Sequence, residues 1–340
     1  MSRPVFELPR ELEAAAPPPT RDGVRLLVAR RSGVHHERFR DFAQFLAAGD
    51  LLVVNLSATL AAAVDATRGD GRAAAVHFST DLGNGRWVIE VRPPRRATGP
   101  VPDAVAGERI VLAGGLELEL IEPYPRQQDR PRLWSAAIDV TVDVPAYLAR
   151  FGAPIRYAYV PERQALDSYQ SVFARYPGSA EMPSAARPFT ADIVIDLIAR
   201  GVLIAAVTLH AGVSSQEAGE PPLPERFDVP ATTARLVEST RAAGGRVVAV
   251  GTTVTRALES AVSRDGAVRA RRGWTDLVLG PDRRARVVTG LLSGWHAPGA
   301  SHLELLQAVA GSALVQRAYA AALCERYRWH EFGDSCLLLP

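Results

Sequence analysis

The sequence predicts an α/β protein: a mostly parallel sheet domain with a small antiparallel β-barrel domain inserted into it. Three features predict it. Apolar residues recur at helical spacing ahead of Asn55, the period falls to two from about Thr59 to Phe151, and helix and strand patterns alternate from Pro154 onward. Residues 1–58 and 152–340 then form one discontinuous α/β domain, and residues 59–151 form the barrel. At 340 residues the chain is long enough to bury two cores.

Phe39, Phe42, Phe45 and Leu46 recur at helical spacing, Gly49 ends that helix, and residues 51–54 read as a buried strand. In the barrel region Trp87, Ile89 and Val91 alternate with Val88, Glu90 and Arg92, and Leu116, Leu118 and Leu120 with Glu117 and Glu119. Breaks at Gly83-Asn84-Gly85, Pro93-Pro94 and Gly114-Gly115 separate these short strands, the pattern of a small barrel or sandwich. Further on, Thr190 is placed to cap a helix carrying Ile193, Val194, Leu197 and Ile198, which Gly201 ends before a strand over 202–209. A second helix ends at Gly244-Gly245 and feeds a strand over 247–250. Gly251, Thr252 and Thr253 then turn the chain into a helix with Arg256 and Glu259 one turn apart. Glycine tolerates such a turn, and a Thr can cap the first helical amides. Those amides suit an anion or a ribose hydroxyl. Ser301 and Glu304 read as a capping box that opens one long helix with Leu303, Leu306, Ala310 and Leu314 on one face. Such alternation argues a parallel sheet covered by helices, with function at the carboxyl ends of the strands or in the cleft against the barrel.

Composition excludes several classes. A formal charge of +2 and 47% hydrophobic residues describe a soluble globular chain. They argue against a bulk polyanion binder while permitting a local basic groove. All 39 basic residues are Arg, which a GC-rich coding genome explains. Cys324 and Cys336 lack CxxC spacing, so neither a disulfide framework nor a zinc site is suggested, and free thiols fit a reducing compartment. Residues 1–10 lack an apolar signal core, and the longest largely apolar stretch, 202–209, is too short to cross a bilayer. A cytoplasmic protein without membrane contact is expected.

Polar clusters fall at the strand ends. One strand delivers Thr208, His210, Gly212, Ser214 and Ser215; the next delivers Gly251, Thr252, Thr253 and Arg256; a third loop, 293–298, carries His296. Residues 161–190, with Tyr169 and Gln170, are polar and aromatic without clear periodicity, as functional loops are. His210 and His296 suit a general base or a proton donor to a leaving group, and equally a hydrogen-bonded structural role. The seven His show no metal-ligand spacing, so no metal is expected, and GxGxxG, GxxxxGK[ST] and GxSxG do not occur. Arg92, Arg95 and Arg96, with Arg269, Arg271, Arg272, Arg283, Arg284 and Arg286, read as solvated loops in preference to phosphate-contacting patches.

Several segments, in order, resemble one family: the S-adenosylmethionine:tRNA ribosyltransferase-isomerases of queuosine biosynthesis. They are FELPRELEAAAPPPTRDGVRLLV near the start, GDLLVVN at 49–55, SYQSVFA at 168–174 and GSAEMPSAARPFT at 178–190. VTLHAGVSS at 207–215, VAVGTTVTRALES at 248–260, WHAPGASHLELLQAVAG at 295–311 and AYAAALCERYRWHEFGDSCLLL near the C-terminus complete the set. The resemblance implies an α/β domain with an inserted six-stranded barrel. It implies S-adenosylmethionine as a substrate that donates its ribosyl part, with no prosthetic group. The implied acceptor is the aminomethyl group of a 7-deazaguanine in tRNA, which is isomerised to epoxyqueuosine as adenine and methionine leave. By the same resemblance Arg21, Asp22, Asn55, Tyr169, Gln170, Thr208, Ser214, Gly251, Thr252 and Thr253 are the substrate-binding set. His210, His296 and Arg256 are the catalytic set.

The chain also departs from the family pattern. Where the family usually continues Asp-Thr-Arg after the Asn, Leu56-Ser57-Ala58 stand here, and the usual Leu-His before Phe-Thr is Arg187-Pro188. Val213-Ser214-Ser215 replaces Gly-Thr-Phe, and residues 225–236 hold none of the His of the family's segment. These changes keep two rival readings open. One is a paralogue that binds S-adenosylmethionine but uses a non-tRNA acceptor or cleaves without transfer; the other is a tRNA-binding or ligand-sensing relic.

Overall fold

The computed structural model describes residues 6–94, 99–126, 131–213 and 222–340. Two strands open it, β1 (Arg25–Arg30) and β2 (Gly33–Arg38), followed by a 3₁₀ helix (Phe39–Phe45) and β3 (Leu51–Asn55). β4 (Ser57–Thr59) leads into β5 (Ala63–Arg68), β6 (Ala73–Gly83), β7 (Arg86–Arg92), β8 (Arg109–Leu112), β9 (Glu117–Tyr124) and β10 (Leu133–Ile138), and α1 (Val144–Phe151) leads back. Then come β11 (Tyr176–Ser179), α2 (Ala191–Ala199), β12 (Leu203–Leu209), β13 (Glu225–Val229), α3 (Ala231–Ala242), β14 (Val247–Val250) and α4 (Thr252–Ser260). β15 (Arg271–Thr275), β16 (Gly290–Gly294), α5 (His302–Ala310), α6 (Ser312–Cys324) and β17 (Ser335–Leu339) complete the order.

A nine-stranded sheet runs β15-β13-β12-β3-β14-β16-β17-β1-β2, and β10-β7-β6-β5-β8-β9 close into a six-stranded barrel. The centre of the sheet is parallel, from β12 through β3 and β14 to β16, as is the β17–β1 pair. Antiparallel pairs flank that centre. β3 and β14 are buried along their whole length, because a central strand covered on both faces needs a continuous apolar run. On one face Leu51, Val53 and Ala249 pack with Val254, Leu306 and Val315 of the later helices. On the other, Leu52, Val54 and Val248 pack with Phe39, Phe42, Phe189 and Leu197. The barrel has its own core, in which Trp87, Ile89 and Val91 point inward as the period of two predicts.

Three local expectations change. The Phe39–Phe45 segment winds as a 3₁₀ helix, not an α-helix; residues three apart eclipse in that geometry, and the Phe39 and Phe42 rings stack at 5.4 Å and 7°. The helix expected from Ser301 onward is two helices, because Gly311 takes φ +79° between α5 and α6. Ser301 makes no side-chain cap, whereas Thr190 does cap α2 through the Ile193 amide at 3.3 Å. No helix among the described residues is long and apolar enough to cross a membrane.

The chain returns from the barrel through Gly152. A Cβ there would overlap the carbonyl of Ala61, next to the Ala63–Ala153 bridge that docks the returning strand on β5. Gly152→Ala is expected to destabilise the protein by about 1–3 kcal/mol, as overpacking does, read as a lower urea midpoint at unchanged slope. An unchanged midpoint would show that this crossing tolerates a side chain.

Candidate active site

A cavity of about 530 Å³ opens where the carboxyl ends of β14 and β16 meet the segments returning from the barrel. Its floor is the start of α4. Gly251 sits at φ +93°, and α4 has no side-chain cap. The expected Thr cap does not form, because Gly251, which has no side chain, takes the N-cap position; Thr253 Oγ1 lies 3.4 Å from Asn55 Nδ2, and Thr255 Oγ1 donates to the Gly251 carbonyl at 3.2 Å. The first-turn amides therefore keep their positive end free of side-chain oxygen.

Beside that floor lies a buried ion pair. Arg256 Nη1 bonds Glu225 Oε2, and its other nitrogens donate to the carbonyls of Leu277 at 3.1 Å, Thr275 at 3.1 Å and Leu223 at 3.2 Å. Burial pushes the Glu225 carboxyl up against the pull of Arg256. Two imidazoles form the next wall. His296 and His302 stack at 4.5 Å and 4°, and His296 Nε2 meets Ser293 Oγ at 2.9 Å. Burial, with the Arg256 charge behind it, pushes His302 down to about 4. Burial and the neighbouring His302 and His330 hold His296 well below the ordinary imidazole value. Both rings are neutral near pH 7.

The opposite elements supply aromatic faces and carboxyl groups. Tyr157 and Tyr159 stack at 5.7 Å, and Tyr159 stacks on His330 at 4.1 Å and 14°. Tyr159 donates to Glu331 Oε2 at 2.6 Å, Tyr157 bonds Glu181, and His330 Nε2 meets Glu13 at 3.2 Å. Burial raises the proton affinity of Glu331, whose Oε1 has no partner. Tyr169 lines the same cavity with an unpartnered hydroxyl, pushed up to about 12 by burial. Among the described residues no group of three or more His, Cys, Asp or Glu could hold a metal ion.

Of the residues singled out in the sequence, Tyr169, Gly251, Thr252, Thr253, Arg256 and His296 line this cavity. His210 stands behind the wall made by Ala211 and Gly212, with Nδ1 2.8 Å from Ser57 Oγ, which bonds Ser179 Oγ at 2.7 Å. Asn55 is fully buried and fastens backbone, and Gln170 pairs with both backbone groups of Thr59 at 2.9 and 2.8 Å. Arg21 donates to the carbonyls of Gln170, Arg187 and Asp167. Arg21, Asp22 and Thr208 are not part of the cavity lining, and Ser214 falls outside the described residues, as do Ser215, Arg95 and Arg96. Positions that depart from the family pattern have structural partners: Ser57 bridges to His210, and buried Arg187 donates to Ser168 O at 3.0 Å with its guanidinium 5.2 Å from the Phe332 ring centre. The cavity also contains Ser293 of the loop 293–298 and groups not singled out before, namely Tyr157, Tyr159, Glu181, Glu225, His302, His330 and Glu331. The available signal for the last two was an adjacent His-Glu in an aromatic, aperiodic stretch.

A family model described as "Queuosine biosynthesis protein" matches residues 1–338. The chain belongs to this family. It is 35% identical to an S-adenosylmethionine:tRNA ribosyltransferase-isomerase of Symbiobacterium thermophilum, over 98% of each chain. It is 37% identical to a protein of the same name from Rubrobacter xylanophilus, over 98% of this chain and 96% of that one. It is similar to the crystal structure of the S-adenosylmethionine tRNA ribosyltransferase of Thermotoga maritima, with a TM-score of 0.56 and 28% identity over 99% of this chain and 100% of that one. The match covers both the sheet and the barrel, so the cavity lies wholly within the matched region.

The buried imidazoles make stability depend on pH. His302 binds its proton less readily folded, at about 4, than unfolded, near 6.5, so its contribution is complete above about pH 6.5 and is lost as pH falls toward 4. His302→Phe is expected to flatten the stability curve in that window by an amount on the order of 3 kcal/mol. Urea unfolding at a series of pH values checks this, and parallel curves for the two proteins would refute it.

Proposed function

We propose that the protein transfers the ribosyl moiety of S-adenosylmethionine to the aminomethyl group of a 7-deazaguanine base in tRNA and isomerises it to epoxyqueuosine, releasing adenine and methionine. The observation that carries this reading is the content of the cavity. In a chain matching ribosyltransferase-isomerases over nearly its full length, one space joins uncapped helix amides, a stacked aromatic face and carboxyl groups of raised proton affinity.

Each part suits a part of the substrates. The amides of Thr252 and Thr253, at the positive end of α4, suit a carboxylate or ribose hydroxyls. The Tyr157, Tyr159 and His330 stack offers flat faces to a base. A sulfonium is cationic, and neutral His296 and His302 avoid repelling it. The chemistry needs a proton removed near the sulfonium and one delivered to departing adenine. Glu331, with Tyr159 on one oxygen and the other unpartnered, and His296, paired with Ser293, are the groups we assign to proton transfer. Arg256 shapes the wall through Glu225, and His210 with Ser57 supports it from behind. Asn55, Gln170 and Arg21 hold the surrounding backbone. We take residues 59–151 as the barrel domain and the rest as the α/β domain, with the reaction at their junction. The protein works in the cytoplasm, where its tRNA substrate is found.

Mass-spectrometric analysis of the purified protein with S-adenosylmethionine tests this directly. Adenine and methionine should appear only with tRNA carrying the aminomethyl-deazaguanine base, with a matching mass gain on that base. Adenine released without tRNA would instead reveal cleavage uncoupled from transfer. Glu331→Gln is expected to lower kcat by about 10²–10⁴-fold, as loss of a general acid or base does, with the KM for S-adenosylmethionine little changed. An unchanged kcat would remove Glu331 from the proton-transfer step.

A further inference from the structure

The outer wall of the barrel carries buried charge that its apolar interior has no use for. Ile89 and Val91 of β7 face the barrel core, so strand alternation places Glu90 and Arg92 outside. On β6 the same alternation turns His77 outward between Val76 and Phe78, opposite Glu90 in the β6–β7 register. Glu90 is fully buried and accepts from Arg92 Nη1 at 2.8 Å and Arg132 Nη1 at 3.3 Å. Against the upward push of burial, His77, Arg92 and Arg132 hold its carboxyl down at about 2, so it counts as one full negative charge.

That pairing leaves donors over. Arg92 is 2% exposed, yet among the described residues its Nε and Nη2 have no acceptor, whereas His77 Nδ1 stands 3.7 Å from Glu90 Oε2. A buried charged donor without a partner is costly to a fold that keeps it. Arg92 and His77 both line a pocket of about 120 Å³ between the barrel and the segment that returns from it. The returning segment contributes Arg156 and Arg163, and exposed Asp65 stands at the rim. Three guanidinium groups, those of Arg92, Arg156 and Arg163, thus line the pocket with one carboxylate, Asp65, and Arg156 Nη1 also donates to the carbonyls of Val160 and Pro161. At about 30 Å³ per water the volume equals about four waters, room for the five atoms of a phosphate group. The same returning segment places Tyr157 and Tyr159 in the cleft, and Pro154 lines both spaces.

We propose that this pocket is a phosphate subsite that seats a backbone phosphodiester of the acceptor RNA close to the nucleotide held in the cleft. This rests on the tRNA reading above. The spare N–H groups of Arg92 suit a phosphate oxyanion, and Arg163 closes over it from the rim. Such a contact sets strand position without reading sequence.

The test uses the full-length protein and synthetic anticodon stem-loops bearing the aminomethyl-deazaguanine, each with one phosphate replaced by a neutral methylphosphonate. Binding is followed by fluorescence anisotropy for wild type, Arg163→Gln and Arg92→Gln. In wild type, one position should lose about tenfold in affinity, as a charged hydrogen bond does. Arg163→Gln should show that loss with the natural RNA and no further loss at that position, and its log–log salt slope should fall by about 0.7. Its KM for S-adenosylmethionine should stay the same. Because Arg163 is exposed, this variant keeps the test decisive even if Arg92→Gln fails to fold. Equal sensitivity of wild type and Arg163→Gln at every position overturns the subsite. It is overturned equally if inorganic phosphate raises the wild-type Tm while no RNA position couples, since the pocket then holds free phosphate. If wild type binds no stem-loop and transfers nothing to tRNA, it is the tRNA reading that fails.

Discussion

The carboxyl ends of the central strands are held together by the buried amide of Asn55. Its Oδ1 accepts from the Leu209 and Ser57 amides, both at 3.0 Å, and its Nδ2 donates to the Leu209 carbonyl at 2.9 Å and lies 3.4 Å from Thr253 Oγ1. One side chain thereby joins β3 to the end of β12, the start of β4 and the first turn of α4. Every partner lost would leave a polar group stranded in a dry place, so the four elements keep one relative position. The consequences run outward. Ser57, fixed by Asn55, bridges Ser179 and His210, and Ser179 Oγ accepts from the Ala211 amide at 3.0 Å at the cavity wall. Thr253, in the first turn of α4, lies against the same amide, and Gly251 at the N-cap leaves the α4 amides without a side-chain cap.

The cavity that this arrangement frames is buried and contains few net charges. Burial, more than any neighbour, keeps His296 and His302 unprotonated, and it raises the proton affinity of Glu225 and Glu331. Among the described residues the one strong cation on the lining, Arg256, is tied to Glu225 and three carbonyls. Such a site favours a cationic substrate over an anionic one everywhere except at the α4 end, where the amides favour the reverse. A zwitterionic sulfonium amino acid has both kinds of group, which supports the proposal that the two halves of the lining serve one substrate.

How much of this was legible in the sequence depended on the range of each interaction. The barrel could be read because Trp87, Ile89 and Val91 differ from their neighbours for a local reason, inside against outside. β3 could be read because burial on both faces leaves an unbroken apolar run. The break at Gly311 was hidden, since a glycine in an apolar helical pattern is compatible with continuing the helix. The missing Thr cap was hidden because a Gly-Thr-Thr run leaves open which residue stands at the N-cap, and the approach of Thr253 to Asn55 was hidden because it spans 198 positions. Most of the site shares that difficulty. Tyr159 meets Glu331 across 172 positions and His330 meets Glu13 across 317, and none of these lies in a periodic segment. Long-range pairs of single side chains leave no pattern along the chain, so only the resemblance pointed toward that region.

The barrel's place in the molecule follows from the one segment that returns from it. Gly152 lets that segment pass tightly under Ala61, and from there successive side chains serve opposite spaces. Tyr157 and Tyr159 line the cleft, while Arg156 lines the pocket on the barrel's outer wall. A barrel built only to be stable would hold its charges in solvent; this one instead buries Glu90 between Arg92 and Arg132 beneath that segment. The paired charges tie β7 to Arg132 at the start of β10, and Arg92 shares a pocket with the segment that also supplies the aromatic face of the cleft. Pro154 lines both spaces, so one short segment separates the donors of Arg92 from the aromatic face of the cleft, and the barrel adjoins the cleft through that segment without contributing a strand to the sheet.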